Sequence, residues 1–121
     1  MRLENRVAIV MGAGQTAGDT IGNGRATAIL FAREGAQVLV VDRRLDSAQE
    51  TVDMIEGEGG SAVAVEADAT SDSACAALVK DCLDTHGRID ILHSNVGRCY
   101  HAAVSFIVKL GMAKIFQQFF F

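Results

Sequence analysis

The sequence predicts an α/β protein in three layers, with helices on both faces of a parallel sheet. Short apolar runs alternate along the chain with segments of about ten to fifteen residues whose apolar positions recur at helical spacing. The first apolar run also passes directly through a glycine-rich turn into a helical segment, over Val7 to Ala28. Strands that are separated by helices of this length pair in parallel, with right-handed crossovers.

Four strands and three helices follow from this pattern in strict alternation. Apolar runs predict the strands at Arg6–Met11, Gln37–Val41, Ser61–Ala67 and Ile89–Ser94. Helical spacing predicts the helices at Asn23–Arg33, Asp46–Glu56 and Asp72–His86. We expect Ser71 to be the N-cap of the third helix, because a serine hydroxyl can accept a hydrogen bond from the first turn.

Composition and charge narrow the classes of function. The chain has 121 residues, of which 50% are apolar and 21% charged, the balance of one soluble globular domain. Its net charge of −4 and its lack of a basic run longer than Arg43-Arg44 argue against nucleic acid as a partner. The N-terminus has no cleavage site of a secretory signal, so we expect a cytoplasmic protein.

The cysteines and histidines show no metal-ligand spacing. The residues concerned are Cys75, Cys82, Cys99, His86, His93 and His101. We therefore expect no metal, and we expect the cysteines to be buried, reduced thiols.

The glycine-rich turn predicts a site for a dinucleotide. Glycine can take a positive φ and lets the backbone approach a ligand closely. A helix that begins near Asn23 or Gly24 would direct its unpaired N–H groups at a pyrophosphate. Asp42 ends the second apolar run, where a carboxylate can accept hydrogen bonds from the adenosine ribose. The alternative is that the glycines serve only the geometry of the loop.

Residues 2–97 resemble the cofactor-binding half of the short-chain dehydrogenase/reductase family. Gly24–Arg44 is similar to the family's first helix and second strand, and Ser94-Asn95-Val96-Gly97 is similar to its Asn-Asn-Ala-Gly motif. Asp68 resembles an acidic residue after the third strand that meets the adenine in the family. The resemblance implies a Rossmann-like sheet in the order 3-2-1-4, with the cofactor across the carboxyl ends of strands one and four.

The chain departs from the family in its glycine motif. The family pattern is Thr-Gly-x-x-x-Gly-x-Gly, whereas Met11 stands here at the threonine position and six extra residues, Thr16–Ile21, lengthen the turn. We assign Gly12, Gly22 and Gly24 as the three glycines of the motif. The predicted cofactor-binding residues are therefore Gly12, Gly22, Gly24, Asp42, Asp68, Asn95 and Gly97.

Asp42 predicts a preference for NAD over NADP, because its carboxylate would repel a 2′-phosphate. Arg43 offers the opposite possibility, since a guanidinium can bind that phosphate. We interpret Arg43 and Arg44 instead as a solvated pair at the start of the next helix.

No catalytic residue is assigned. The family's chemistry needs a Tyr as general acid/base, a Lys four residues later and a Ser, all in the second half of the family's chain. Tyr100 is the sole tyrosine and Val104 stands four residues after it, while the Ser105 and Lys109 spacing lacks a tyrosine. We expect a truncated oxidoreductase that binds NAD and does not turn over by itself.

The composition of the chain changes after Gly97. We therefore predict two regions, which are a partial dinucleotide-binding domain over 1–97 and a Phe-rich tail over 98–121. All 15 acidic residues lie at or before Asp90, whereas six of the seven aromatic residues lie at or after Tyr100. A frame-shifted message and a divergent natural tail both fit this change. We expect Val104–Leu110 to pack against the exposed edge or face of the sheet. The longer segment Ala102–Phe121 is apolar but is interrupted by Lys109, Lys114, Gln117 and Gln118, so we expect no membrane span.

Three functions stay open from the sequence. The chain is an inactive family member that binds NAD, a nucleotide-binding module that acts with a second polypeptide, or a protein that binds a partner or a membrane through its tail. Strand four lacks its usual neighbour in the predicted sheet, so we expect marginal stability and self-association through this strand or through Phe119–Phe121.

Overall fold

The computed structural model describes residues 2–12, 23–68, 71–94 and 115–118 of the chain. Within these ranges it contains three helices and one parallel sheet with strand order β3-β2-β1-β4-β5. In chain order the elements are β1 (Val7–Met11), α1 (Asn23–Arg33), β2 (Gln37–Asp42), α2 (Leu45–Gly57), β3 (Ser61–Glu66), α3 (Asp72–His86), β4 (Ile91–Ser94) and β5 (Ile115–Gln118). The predicted α/β class and the order 3-2-1-4 are confirmed.

Apolar side chains on both faces of β1 fix it at the centre of the sheet. Successive side chains of a strand point to opposite faces. Ile9 and Met11 pack in a cluster with Val79 of α3, and Ala8 and Val10 pack in a second cluster with helices α1 and α2. Because both faces are covered, every residue of β1 is buried. This burial produces the three layers.

Local signals set the bounds of the third helix as predicted. The Ser71 hydroxyl accepts a hydrogen bond from the Ala74 N–H at 3.2 Å, and α3 begins at the next residue. Gly87 follows the helix with φ 77°, a left-handed conformation that suits glycine, and its N–H donates to the Leu83 carbonyl. The two capping residues, Ser71 and Gly87, therefore explain where α3 begins and where it ends.

The fourth strand is shorter than predicted, and pairing starts at Ile91 opposite Ala8. Asp90, directly before it, is 3% exposed and contacts Val7 of β1 in two ways. Its backbone N–H donates to the Val7 carbonyl at 2.9 Å, and its carboxylate Oδ2 accepts the Val7 N–H at 2.9 Å. The Asp90 carboxylate thus takes the place of a backbone carbonyl as acceptor for the Val7 N–H at the amino end of the sheet.

The expectation that strand four lacks a neighbour is wrong. β5 pairs with β4 in parallel, with Ile91 opposite Ile115 and Ser94 opposite Gln118. The pairing satisfies backbone groups that would otherwise line the edge of the sheet. The segment Val104–Leu110, which we expected to pack there, lies outside the described residues. Self-association stays a prediction, and the open edge on which it was based is occupied by β5.

The expectation of reduced thiols is wrong for Cys75. Cys75 is fully buried in α3 and is disulfide-bonded. Cys82, seven residues later on the same helix, is buried and free. Sequence spacing does not show which side chains approach each other in space, so the bond was not predicted. In the described ranges, no helix is long and apolar enough to cross a membrane.

Candidate functional site

The carboxyl ends of the three central strands, β2, β1 and β4, lie side by side. We call this end of the sheet its carboxyl edge, as distinct from the outer strands β3 and β5. Met11 at the end of β1 pairs with Val41 of β2 on one side and with Ser94 of β4 on the other. On the far side of β2, Asp42 pairs with Glu66 of β3. Residues that follow these strands therefore share one edge, which is where open parallel sheets bind ligands.

Gly12 lies at this edge, directly after β1, in a conformation that favours glycine. Its φ is 73°, in the left-handed region, and its N–H donates to the Val41 carbonyl at 2.8 Å. The chain thus turns away from the sheet while it stays bonded to the neighbouring strand. Met11, before it, is fully buried in the cluster on the α3 face, so this position offers an apolar side chain to the core.

The first turn of α1 provides a positive helix end at the same edge. The helix runs from Asn23, and Gly24 is buried at its second position. Its first turn contains no acidic side chain that would neutralise the positive end of the helix dipole. Helices that follow a parallel strand begin at the strand's carboxyl end, so these N–H groups suit an anion at the sheet edge.

Asp42 is the last residue of β2 and is half-buried. Its Oδ1 accepts the Arg44 backbone N–H at 3.0 Å, and its carbonyl accepts the Ala67 N–H at 3.0 Å. These bonds hold the residue between β2, β3 and the start of α2. Arg43 is exposed, and the exposed Arg44 side chain pairs with Asp46 at 3.0 Å. Arg44, which precedes α2, therefore has a partner in the first turn of that helix.

Asp68 follows the end of β3 by two residues and is exposed. Its carbonyl accepts the Ser71 N–H at 3.0 Å, in the turn that leads to α3. Since β3 is paired with β2, Asp68 lies one strand away from Asp42 at the same edge. Three further predicted residues, Gly22, Asn95 and Gly97, lie outside the described residues.

Arg25 is a residue of this region that we did not predict. It follows Gly24 directly, and its side chain is only 5% exposed. Its guanidinium reaches across to α2 and donates to Thr51 Oγ1 at 2.8 Å. A basic residue in the first turn of α1 was the available signal, but its partners lie more than twenty residues away in sequence.

The arrangement fits the adenosine diphosphate half of a dinucleotide. A left-handed glycine and a helix N-terminus suit the diphosphate, because backbone N–H groups can bind its oxygens. The carboxylate of Asp42, one strand away from Gly12, suits the hydroxyls of a ribose. Both features come from described residues at the same edge of the sheet.

Comparison with known proteins identifies the family. A family model described as short chain dehydrogenase matches residues 6–120. YxbG of Bacillus subtilis (strain 168), an uncharacterised oxidoreductase, is 40% identical over 96 residues, which are 79% of this chain and 33% of YxbG. YusS of the same organism, a short-chain dehydrogenase/reductase homologue, is 35% identical over 102 residues, 84% of this chain and 88% of YusS.

The fold is also found among solved structures. A 7α-hydroxysteroid dehydrogenase, complexed with NADH and 7-oxo glycochenodeoxycholic acid, superposes with a TM-score of 0.79 and 29% sequence identity. The match covers 97% of this chain and 53% of that enzyme. This chain therefore spans about a third of YxbG and about half of the dehydrogenase, while it matches most of YusS. The chain belongs to the short-chain dehydrogenase/reductase family.

Proposed function

We propose that the chain binds NAD across the carboxyl edge of β1, β2 and β4. Gly12 and the first turn of α1 would hold the diphosphate, and Asp42 would bind the adenosine ribose. Asp68 would lie beside the adenine, and Gly22, Asn95 and Gly97 complete the proposed set of residues. The observation that supports this best is the common edge of Gly12 and Asp42, fixed by the pairing of Met11 with Val41.

We propose NAD rather than NADP as the preferred cofactor. A 2′-phosphate on the ribose would meet the carboxylate of Asp42, and repulsion between two anions within a few ångströms is costly. The exposed Arg44 is paired with Asp46. The related hydroxysteroid dehydrogenase structure contains NADH, which agrees with this preference.

The proposed reaction class is hydride transfer, in which NAD⁺ would accept a hydride from an alcohol or NADH would donate one to a carbonyl compound. Because this chain covers only 33% of YxbG, the reaction class is inferred from family membership alone. The 121-residue sequence contains no Tyr-x-x-x-Lys, and its sole tyrosine, Tyr100, has Val104 four residues later. Without a positioned proton donor, we propose that this chain by itself binds NAD and does not oxidise alcohols.

Isothermal titration calorimetry combined with a turnover assay tests this proposal. We expect saturable binding of NAD, weaker binding of NADP, and no NADH absorbance with a panel of primary, secondary and steroid alcohols. Steady formation of NADH by the purified chain would contradict the proposed inactivity, and absence of NAD binding at millimolar concentration would contradict the function as a whole.

A module that acts with a second polypeptide is the alternative, and copurification from the native cell distinguishes it. A second chain that supplies Ser, Tyr and Lys would restore NADH formation in the mixture. Binding of a partner or membrane through residues 98–121 is a further alternative, for which loss of association on deletion of that region is the test. The cytoplasmic location stays a prediction.

A further inference from the structure

Arg25 places a permanent charge in the interior beside the proposed site. Its side chain is 5% exposed, and it stands at the third position of α1, directly after Gly24. A guanidinium stays protonated in proteins, so its charge has to be compensated where it is buried. Such burial is expensive unless hydrogen bonds replace the lost water.

The compensating contacts of Arg25 lie on α2. Nε donates to Thr51 Oγ1 at 2.8 Å, and Nη2 donates to the Ser47 carbonyl at 3.2 Å and to Glu50 Oε2 at 3.1 Å. The Glu50 side chain is 65% exposed, so water screens the ion pair. Thr51 and Ser47 are buried and neutral. Hydrogen bonds with a defined direction, more than charge attraction, therefore hold the guanidinium.

An apolar side chain of similar length would fill this place at a lower desolvation cost. The guanidinium adds a fixed geometry, because its planar fork donates hydrogen bonds only along its N–H directions. The fork joins the first turn of α1 to the first turns of α2, which begins at Leu45. Arg44, before that residue, donates its backbone N–H to Asp42 Oδ1. The hydrogen bonds of Arg25 and of Asp42 are thus joined through the backbone from Arg44 to Ser47, at the start of α2, which links the start of α1 to Asp42.

We propose that Arg25 is a positioning residue that sets the distance between the first turn of α1 and Asp42. The proposal rests on the NAD binding proposed above, in which these two elements hold the diphosphate and the ribose. A ligand that contacts both elements depends on their relative position. A ligand that contacts Asp42 and Asp68 but does not reach α1 does not depend on it, so the two kinds of ligand report on positioning separately from stability.

The test compares ADP with adenosine, titrated into the ¹⁵N-labelled full chain by NMR. Arg25→Met removes the fork and keeps an unbranched side chain. Arg33→Met is the matched control, because Arg33 joins the same two helices at their far ends through Glu58, with bonds of 2.7 and 2.8 Å. We expect Arg25→Met to weaken ADP binding by about tenfold or more, and adenosine binding by less than about twofold.

Each outcome decides the proposal. The proposal is overturned if Arg25→Met weakens the binding of ADP and of adenosine by the same factor. It is also overturned if Arg33→Met weakens ADP binding as much as Arg25→Met does. Either result shows only a loss of helix packing. If Arg25→Met loses its cooperative urea transition, Thr51→Val decides instead, since it keeps Arg25 and removes the acceptor of Nε, together with the 3.4 Å hydrogen bond from Thr51 to the Ser47 carbonyl. Weaker ADP binding with unchanged adenosine binding in Thr51→Val supports the proposal, and unchanged ADP binding overturns it. A wild-type chain that binds neither ligand contradicts the proposed function itself.

Discussion

At the scale of single residues, the candidate site depends on the chemistry of a few side chains at the ends of strands. Asp42 is half-buried at the end of β2, and one of its oxygens already accepts the Arg44 N–H. The carboxylate is therefore oriented by the turn that follows the strand. An oriented carboxylate selects between ribose hydroxyls and a ribose phosphate more sharply than a mobile one.

Asp42→Ser should change the choice of cofactor. Serine keeps an oxygen that can accept the Arg44 N–H and removes the negative charge that faces a 2′-phosphate. We expect NAD binding to weaken by about tenfold and the preference over NADP to shrink by a similar factor. Calorimetric titration of both cofactors checks this. Unchanged affinities for both would remove Asp42 from the site.

Cys82 should be inert in the folded chain. Burial, with a smaller contribution from the charge of Asp90, raises the pKa of its thiol to about 12. Since the thiolate is the reactive form, we expect almost no alkylation by iodoacetamide at pH 8 before unfolding. After unfolding without reductant, one thiol per chain should react, because Cys75 is disulfide-bonded. Three reactive thiols under those conditions would contradict the bond.

At the scale of elements, Asp90 ties the amino ends of β1 and β4 together. Burial raises the pKa of its carboxyl, but a hydrogen bond from Arg88 at 2.6 Å, the Val7 N–H and the charges of Arg88 and Arg6 together lower it below its usual value. A depressed pKa means that the ionised carboxylate stabilises the folded state. This stabilisation is complete above the usual carboxyl pKa of 3.8 and is lost as the pH falls through the lower pKa of the folded state.

Asp90→Asn should therefore destabilise the protein in a pH-dependent way. We expect a loss of about 1–3 kcal/mol in the free energy of unfolding at pH 7, since Arg6 and Arg88 are half-exposed and water screens their charges. The difference from wild type should shrink below pH 3.8. Urea unfolding across this pH range measures it, with the exposed Asp84→Asn as control. A difference that does not depend on pH would contradict the role of the charge.

β5 should protect the edge of β4. Removal of 115–121 exposes unpaired N–H and C=O groups of Ile91–Ser94, which favours pairing between chains. We expect a larger dimer fraction in light scattering and a lower urea midpoint. Removal of 119–121 alone keeps β5 and eliminates three phenylalanines, so it separates edge pairing from an apolar patch. A dimer fraction that falls equally in both truncated chains would assign association to the phenylalanines and would contradict protection of the edge by β5.

At the scale of the whole molecule, local signals predict the fold well and distant contacts poorly. Apolar runs that end in glycine or aspartate mark β1, β2 and their carboxyl ends, because burial and turn chemistry act within a few residues. The partners of Arg25 on α2 and the pairing of β5 with β4 join residues that are far apart in sequence. Nothing in the spacing of Ile115–Gln118 distinguishes it as a strand beside β4.

The relatives that the chain matches differ in length. It spans 33% of YxbG but matches 88% of YusS, another short-chain dehydrogenase/reductase homologue. The matched region contains the edge of the sheet at which Gly12 and Asp42 lie. The Tyr-x-x-x-Lys pattern is absent from these 121 residues. We propose that the chain binds a dinucleotide at this edge, because the residues that support binding lie in the matched region.

Mapping NAD on the ¹⁵N-labelled chain by NMR tests this proposal. We predict saturable shifts of the backbone N–H signals of Gly12, Gly24, Asp42 and Asp68, while signals at the opposite edge, such as Val7 and Gly60, stay unchanged. Shifts confined to the opposite edge, or no saturable shift at millimolar NAD in a chain that unfolds cooperatively, would contradict it.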